Sequence, residues 1–530
     1  MTKVTFEERL RAVEEQLSAK VARAEHERDE YKKLVALLQE QNERLKRGLL
    51  GQKAERLPKN DAQLSLALLN LALGGGETAA PEPAPEPERQ VVPEHTRRKP
   101  LRKPLPEGAE RVVIDIIPPE VQLEGEENFE HVGVEGRDVL ERRPAATVIV
   151  ELNYHKYVRK DRKRNAPTQV LCAPAVELPI ERGVAGPSML ADTIVRRWQD
   201  HQPLSRLEDI YRRERIELAK STLCTWHDKL SELLKPLVDR MFEDAYRSPY
   251  LCVDATGVLV LAKEKCRSGH FWVLVSPGKH VLYRYSKAHD SIAVDKLLGD
   301  YKGYLVADAH AVYDHLFVDG DVIEVACWAH CRRYFFKALE SDPERAKVAL
   351  SLIGALFQIE RTVADAPRKE RERVRRNKSR ALVDRFFEWC DAEFPQVLDE
   401  TPIQAGLRYA RNQRVALRRF LDDGRLPLHN NISELNLRRQ VLGRKNWLFV
   451  GSDDGGHVNA IFVSLLASAR LHGIEPQGYI RDLLCLIRTW PSDRLLDLAP
   501  ANWQQTLEQP ETQQKLAANV FRRAVLSLPA

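Results

Sequence analysis

Three carboxylates in this 530-residue sequence stand where phosphoryl-transfer chemistry would need them. Asp254 closes the apolar run YLCVD and Asp308 closes GYLVAD, so each is expected at the end of a buried strand. Two carboxylates on neighbouring strand ends repel one another unless a cation lies between them. Mg²⁺ takes hard oxygen ligands and usually only one or two protein carboxylates, which leaves room for water and phosphate oxygens. Glu434, in HNNISELNLRRQVLGRKNWLF, completes a set for two Mg²⁺ ions, with Mn²⁺ able to substitute. One ion would activate an attacking oxygen while the other stabilises the leaving oxygen. Asn430, Asn431 or Ser433 is expected to cap the helix that carries Glu434, and Gly443 to end it. Arg438 lies one turn beyond Glu434 on the same face and suits a phosphate, with Arg444 and Lys445 further along. A lone strand-end aspartate would read as a turn or cap residue; the combination points to chemistry.

The elements around these residues form a pattern. YLCVDATGVLVL, HFWVLVSP and HVLYRYS read as three successive strands, followed by a helix at Ser291 to Leu298 and the strand GYLVADA. A helix at Val312, the strand VIEVACW and a helix from Ala329 to Leu339 come next. The order β-β-β-α-β-α-β-α is that of a ribonuclease-H-like fold. From Pro343 to about Gly424 the pattern is helical and strongly basic, an insertion after which the core resumes near Asn430. Its run Arg368 to Arg380 reads either as a solvated charged face or as a DNA clamp.

Upstream, Leu10, Leu17, Ala24, Tyr31, Leu38 and Leu45 recur every seven residues, the seam of a coiled coil that would pair two copies of the chain. GGGETAAPEPAPEPE is too polar to pack and reads as a linker ending in the basic HTRRKPLRK. Alternating apolar residues from about Arg111 to Ala175 suggest a small β-rich module, whose Lys156, Arg159, Lys160, Arg162, Lys163 and Arg164 could contact phosphates. LSRLEDIYRRERIELAKSTLCTWHDKLSELL has the layout of a helix-turn-helix. Ser221 and Thr222 would cap its second helix, and with Lys220 they would enter a DNA groove.

Composition sets the outer limits. Apolar residues make up 43% and charged residues 30%, with a net charge of +5, as in a folded, helix-rich chain. No apolar stretch is long enough for a membrane span or secretory signal, so a cytoplasmic, nucleoid-associated location is expected. Eight scattered cysteines without a CxxC pair indicate neither a disulfide framework nor a ribbon-type zinc site. CWAHC offers Cys327, His330 and Cys331 in five residues, a poor tetrahedral set, and a structural or DNA-contacting role for Cys327 and His330 is favoured. Trp447 suits either a core or a flipped base.

Longer blocks carry a resemblance. PIERGVAGPSMLADTIVRRWQDHQPLSRLEDIYRRERIELAKSTLCTWH, DAHAVYDHLF with EVACWAHCRRYF, and LPLHNNISELNLRRQVLGRKNWLFVGSDDGG with SLLASARLHGIEPQGYIRDLL resemble the large transposases of the insertion-sequence-66 family, which use a DDE nuclease fold. The resemblance implies that Asp254, Asp308 and Glu434 are the catalytic carboxylates, the same three chosen above. It implies binding to the terminal inverted repeats of a mobile element, metal-dependent DNA cleavage and strand transfer to a target, with small accessory proteins of the same element as further partners. Two departures stand out. The family's paired cysteines in the β-rich module are missing here, where only Cys172 remains, so zinc is not expected; and His310 replaces an aromatic two residues after the second aspartate. A domesticated DNA-binding protein of the same fold, without catalysis, is the alternative. The resulting division is a coiled-coil helix at 1–57, a linker at 58–110 and a degenerate zinc-finger-like β-rich module at 111–178. A helix-turn-helix region at 179–245, the first core part at 246–340 and the basic helical insertion at 341–425 follow. The second core part with the Glu434 helix spans 426–490, and a C-terminal segment spans 491–530.

Overall fold

The computed structural model describes residues 110–143, 146–160, 169–263 and 265–526. The expected coiled coil, nearly all of the linker, and Arg162, Lys163 and Arg164 lie outside the described residues. The described chain forms two compact units, one made of Trp328–Leu428 and the other of the chain up to Cys327 together with that from His429 onward. Among the described residues no helix is long and apolar enough to cross a membrane.

In the larger unit, β1 (Glu110–Ile116), β2 (Phe129–Arg143), β3 (Ala146–Arg159) and β4 (Leu171–Cys172) form a first sheet, with helix α1 (Pro119–Glu124) between β1 and β2. β2 and β3 make a long antiparallel pair, β1 lies parallel to β3, and β4 adds to its far end. The strand period puts Val148, Val150, Leu152 and Tyr154 of β3 on one buried face. Helices α2 (Pro187–Ile194), α3 (Leu204–Arg213) and α4 (Lys220–Ala245) follow. The α2 start has no capping side chain of its own, because buried Glu141 of β2 reaches over and accepts from the Ser188 N–H at 3.0 Å. Ser221 and Thr222 do not cap α4. Ala219 holds the cap position without a side-chain bond, and the helix has already begun at Lys220.

The second sheet contains β5 (Tyr250–Val260), β6 (Arg267–Ser276), β7 (His280–Ser286), β8 (Gly303–Ala307) and β9 (Val322–Ala326) in the order β7-β6-β5-β8-β9. The first three are antiparallel, whereas β8 and β9 run parallel to β5. Helix α5 (Ser291–Leu298), capped by Asp290, crosses from β7 to β8. The expected helix at Val312 is a short 3₁₀ segment, Ala311–Phe317.

The helical unit comprises α6 (Trp328–Lys337), α7 (Pro343–Thr362), α8 (Arg368–Val374), α9 (Arg380–Glu393), α10 (Pro402–Asn412) and α11 (Arg414–Arg418). It begins earlier than residue 341 because α6 turns Trp328 into the aromatic cluster of Phe386, Phe387 and Phe420. The Trp328 N–H donates to Leu428 O at 3.1 Å, tying the ends of the unit together.

The larger unit resumes with α12 (Asn431–Trp447), α13 (Asp453–Leu471) and α14 (Pro476–Leu486). α13 covers the outer edge of the sheet: Ser464 and Ser468, one turn apart, accept from the Tyr283 and Val281 N–H groups of β7 at 2.8 and 3.0 Å. An edge strand is thereby satisfied by side chains and closed to further pairing. Gly443 does not end α12; a side chain there would meet the Trp447 indole at 2.9 Å and His201 at 3.2 Å, and the helix stops instead at Leu448, which takes a left-handed φ of 65°. The C-terminal segment is not separate from the first sheet, since Phe521 and Ala524 complete its core.

Candidate active site

Asp254 lies in the middle of β5 rather than at its end, because β5 pairs with β6 as far as Val260. Its parallel pairing with β8 stops at Cys252, opposite Val306. Asp254 stands two residues beyond that last paired residue of β5, and Asp308 two residues beyond its partner Val306, directly after β8. Both are half-buried. Tyr313, from the 3₁₀ segment after Asp308, is buried beside them. Its hydroxyl is held well above its ordinary value by burial first, and then by the charges of Asp308 and Asp254. One phenol thus feels both carboxylates.

The wall beyond them is aromatic. His289 lies flat on Trp272 with centroids 4.7 Å apart and meets His310 edge-on at 4.6 Å, while Tyr313 meets Trp272 edge-on at 6.3 Å. Burial, with His310 and His270 nearby, lowers the His289 pKa against the opposing pull of Asp308 and Asp290. None of His289, Trp272 and Tyr313 was singled out from sequence. Tyr313 had a signal in its place five residues after Asp308 within the same block.

Glu434 is half-buried in the first turn of α12. Asn430 occupies the cap position but makes no capping bond; fully buried, it donates from Nδ2 to Val253 O at 2.7 Å, the residue before Asp254. Its backbone N–H donates to the Cys327 sulfur at 3.2 Å. At the other end of α12 the Arg444 guanidinium donates to Gly257 O and, at 3.2 Å, to Thr256 Oγ1. The helix is therefore laced along β5 from Val253 to Gly257. Among the described residues no three His, Cys, Asp or Glu side chains gather closely enough to hold a metal ion as they stand. Asp254 and Asp308 both act on the Tyr313 hydroxyl, and the start of the Glu434 helix is fixed to the strand that carries Asp254.

The other expected site residues divide. Cys327 is buried at the end of β9 and serves structure, through Asn430; His330 is half-buried on α6 in the helical unit. Arg438 and Lys445 are exposed on α12, but Arg444 is engaged with β5. Lys220 and Ser221 are exposed at the start of α4 and Thr222 is half-buried. On the first sheet, Lys156 pairs with Glu135 at 2.7 Å, Arg159 with Glu124, and Lys160 donates to Glu127 O at 2.9 Å. Trp447 packs, partly buried, beside Val258, Val260 and Phe271, with Arg197 over its ring at 5.5 Å.

Comparison with known proteins places this mixed α/β chain among transposases. The model of the family described as "Transposase IS66 family" matches residues 182–458, just over half of the sequence, and takes in Asp254, Asp308 and Glu434. The chain belongs to the IS66 family of transposases. A second model, described as "Transposase C of IS166 homeodomain", matches residues 37–114. The uncharacterized protein y4hP of Sinorhizobium fredii is 28% identical over 497 residues, 89% of each chain. The uncharacterized protein y4qI of the same organism is 29% identical over 481 residues, 85% of each.

Proposed function

We propose that the chain is a DDE-type DNA transposase that binds the terminal inverted repeats of a mobile element and catalyses metal-dependent cleavage and strand transfer. The observation that carries this reading is that Asp254 and Asp308, each two residues beyond the last β5–β8 pair, both act on the buried Tyr313 hydroxyl. The strand order β7-β6-β5-β8-β9, with three antiparallel strands followed by two parallel ones, supports a ribonuclease-H-like core. Hard carboxylate oxygens fit Mg²⁺. Asp254 and Asp308 would hold it, with Glu434 as the third ligand, and the bound cations supply activation of the attacking oxygen and stabilisation of the leaving one.

The chain's own residues do the rest. Asn430 fixes the first turn of α12 against β5, so that Glu434 keeps its position as DNA arrives. Tyr313, packed edge-on against the Trp272–His289 stack, would brace the site from behind. Arg438 and Lys445, exposed along α12, would contact phosphates beside the site. α3 and α4 would act as a helix-turn-helix with Lys220, Ser221 and Thr222 leading the second helix into a groove. Residues 1–57 would pair two copies as a coiled coil, and accessory proteins of the element would join the assembly.

The test is cleavage of labelled DNA carrying the element's end sequence, in Mg²⁺ or Mn²⁺, by the wild type and by Asp254→Ala and Glu434→Ala variants. Nicking at the repeat boundary by the wild type alone is the expected result. Binding without cleavage, persisting after the accessory proteins are added, would instead identify a DNA-binding protein that has lost its chemistry.

A further inference from the structure

The helical unit carries two arginine series, and four of the six arginines in the one that stands out in the sequence are engaged with carboxylates. In Arg368 to Arg380, Arg368 pairs with Glu372 at 2.8 Å and Asp423 at 3.2 Å, and Arg373 pairs with Glu370 at 2.6 Å. Arg375 is fully buried, bound to Glu360 at 2.6 Å and to the carbonyls of Phe420, Asp423 and Leu426 at 2.7–2.9 Å. That arginine braces the fold. The second series runs from α10 into α11: Arg408, Arg411 and Arg414 recur every three residues and open onto one cavity of about 300 Å³, lined also by Asp391, Phe394 and Asn412.

Three guanidinium groups face a single carboxylate there. Arg411 donates to Asp391 at 3.1 Å and lies over the Phe394 ring at 4.2 Å. Arg414 pairs with the same Asp391 and lies over Phe387 at 4.9 Å, and its Nε is buried with no hydrogen-bond acceptor among the described residues. Arg408 is exposed and donates to the Gln404 amide oxygen at 2.5 Å. Stacking on aromatic rings fixes the guanidinium planes before any ligand arrives, and such preorganised forks match phosphate oxygens. The cavity has the charge excess and donors for a phosphodiester group.

We propose that this cavity binds a backbone phosphate of duplex DNA, making the α10–α11 arginines, and not the Arg368–Arg380 run, the DNA-binding element of the helical unit. This rests on the transposase reading above. The experiment measures binding of a fluorescein-labelled duplex to the full-length protein across a salt series, for the wild type, Arg411→Gln/Arg414→Gln, Arg411→Lys/Arg414→Lys and Arg373→Gln. The expected result for the Gln pair is weaker binding at low salt and a slope of log K against log salt that is shallower by about 0.9 for each phosphate no longer neutralised. The Lys pair should recover most of the slope, and Arg373→Gln should match the wild type. Arg408→Gln, which removes a guanidinium bonded to a neutral amide, serves as a second probe if the Gln pair fails to fold, with the same direction expected. Wild-type binding with an unchanged Gln pair and unchanged Arg408→Gln would overturn this proposal alone. Absence of wild-type DNA binding would overturn it together with the transposase reading. Inorganic phosphate binding abolished in the variants while DNA binding stays intact would reassign the cavity to a free anion and also overturn it.

Discussion

The two sheets of the larger unit handle charge in opposite ways. On the first, exposed cations sit against exposed anions: Lys156 against Glu135 at 2.7 Å, and Arg111 against Asp138 and Glu151 at 3.1 Å. Each such pair contributes only about 0–1 kcal/mol, and together they leave little net field. On the second, two like charges, Asp254 within β5 and Asp308 just after β8, act on one buried phenol. Two carboxylates brought close together repel unless a cation lies between them. A count of charges makes the first sheet look functional because of its KYVRKDRKR run. The second is the better candidate for chemistry because two carboxylates act there on one buried phenol.

The largest expected effect follows directly. Asp308→Asn keeps the shape of the site and removes one of the two like charges, so cleavage of repeat-end DNA should fall by more than the roughly 100-fold seen on losing an outer-sphere partner. DNA affinity should stay near wild type. Single-turnover nicking and a binding titration on the same preparation would check this. Cleavage within about tenfold of wild type, the lower end of an outer-sphere effect, would remove the contrast between the sheets.

Next in size is Asn430→Ala. The side chain touches no expected ligand atom, yet it links Val253 O to the start of the Glu434 helix at 2.7 Å. Losing it should lower cleavage by about 10–100-fold. It should also cost about 1–3 kcal/mol of stability, because the Val253 carbonyl is left buried without its donor. A melting curve beside the nicking assay separates the two consequences. Cleavage that falls only in proportion to the unfolded fraction would make Asn430 a packing residue.

The sequence made some of this visible and concealed the rest for physical reasons. Strand periodicity delivered β5 to β9 and the Ser291–Leu298 helix, because apolar alternation and turn residues are local signals. Asp254 and Asp308 were legible by their position after apolar runs, although the continuation of β5 past Asp254 was not, since that depends on pairing with β6. Gly443 looked like a helix end; only the indole of Trp447 against it explains a glycine inside the helix. Asn430 looked like a cap and is a tether, a distinction set by a carbonyl 177 residues away in sequence. α6 read as part of the core, but the aromatic cluster that claims Trp328 comes from helices that follow it.

A smaller effect concerns pH and tests whether the first sheet hides one charge of its own. Glu141 is fully buried on β2, and burial raises its carboxyl pKa from 4.5 to about 8, against the lowering effect of its bonds to Ser188 and Arg142. A carboxyl raised in the folded state takes up a proton on folding. Its contribution is therefore full below about 4.5 and is lost as pH rises through about 8. Each pH unit in that window should remove up to about 1.4 kcal/mol of stability. Glu141→Gln, which cannot titrate, should flatten the fall in melting temperature across the window. A wild-type profile already flat there would mean the carboxylate stays ionised on its N–H donors.

The smallest effect is expected where the sequence shows its densest cations. Lys156→Gln and Arg159→Gln each break an exposed pair, with Glu135 and Glu124 respectively, and should change stability by no more than about 1 kcal/mol. Their effect on DNA should be slight for the same reason. A phosphate approaching Lys156 also approaches Glu135, so releasing the lysine to the DNA brings a carboxylate beside it and offsets the gain. The salt dependence of DNA binding is the sensitive readout, since a true phosphate partner changes the slope by about 0.9 whatever the affinity. An unchanged slope would mean that these cations answer to their own sheet. A slope shallower by that full amount would mean that DNA displaces the glutamates, and the first sheet would then share in binding DNA alongside the helical elements.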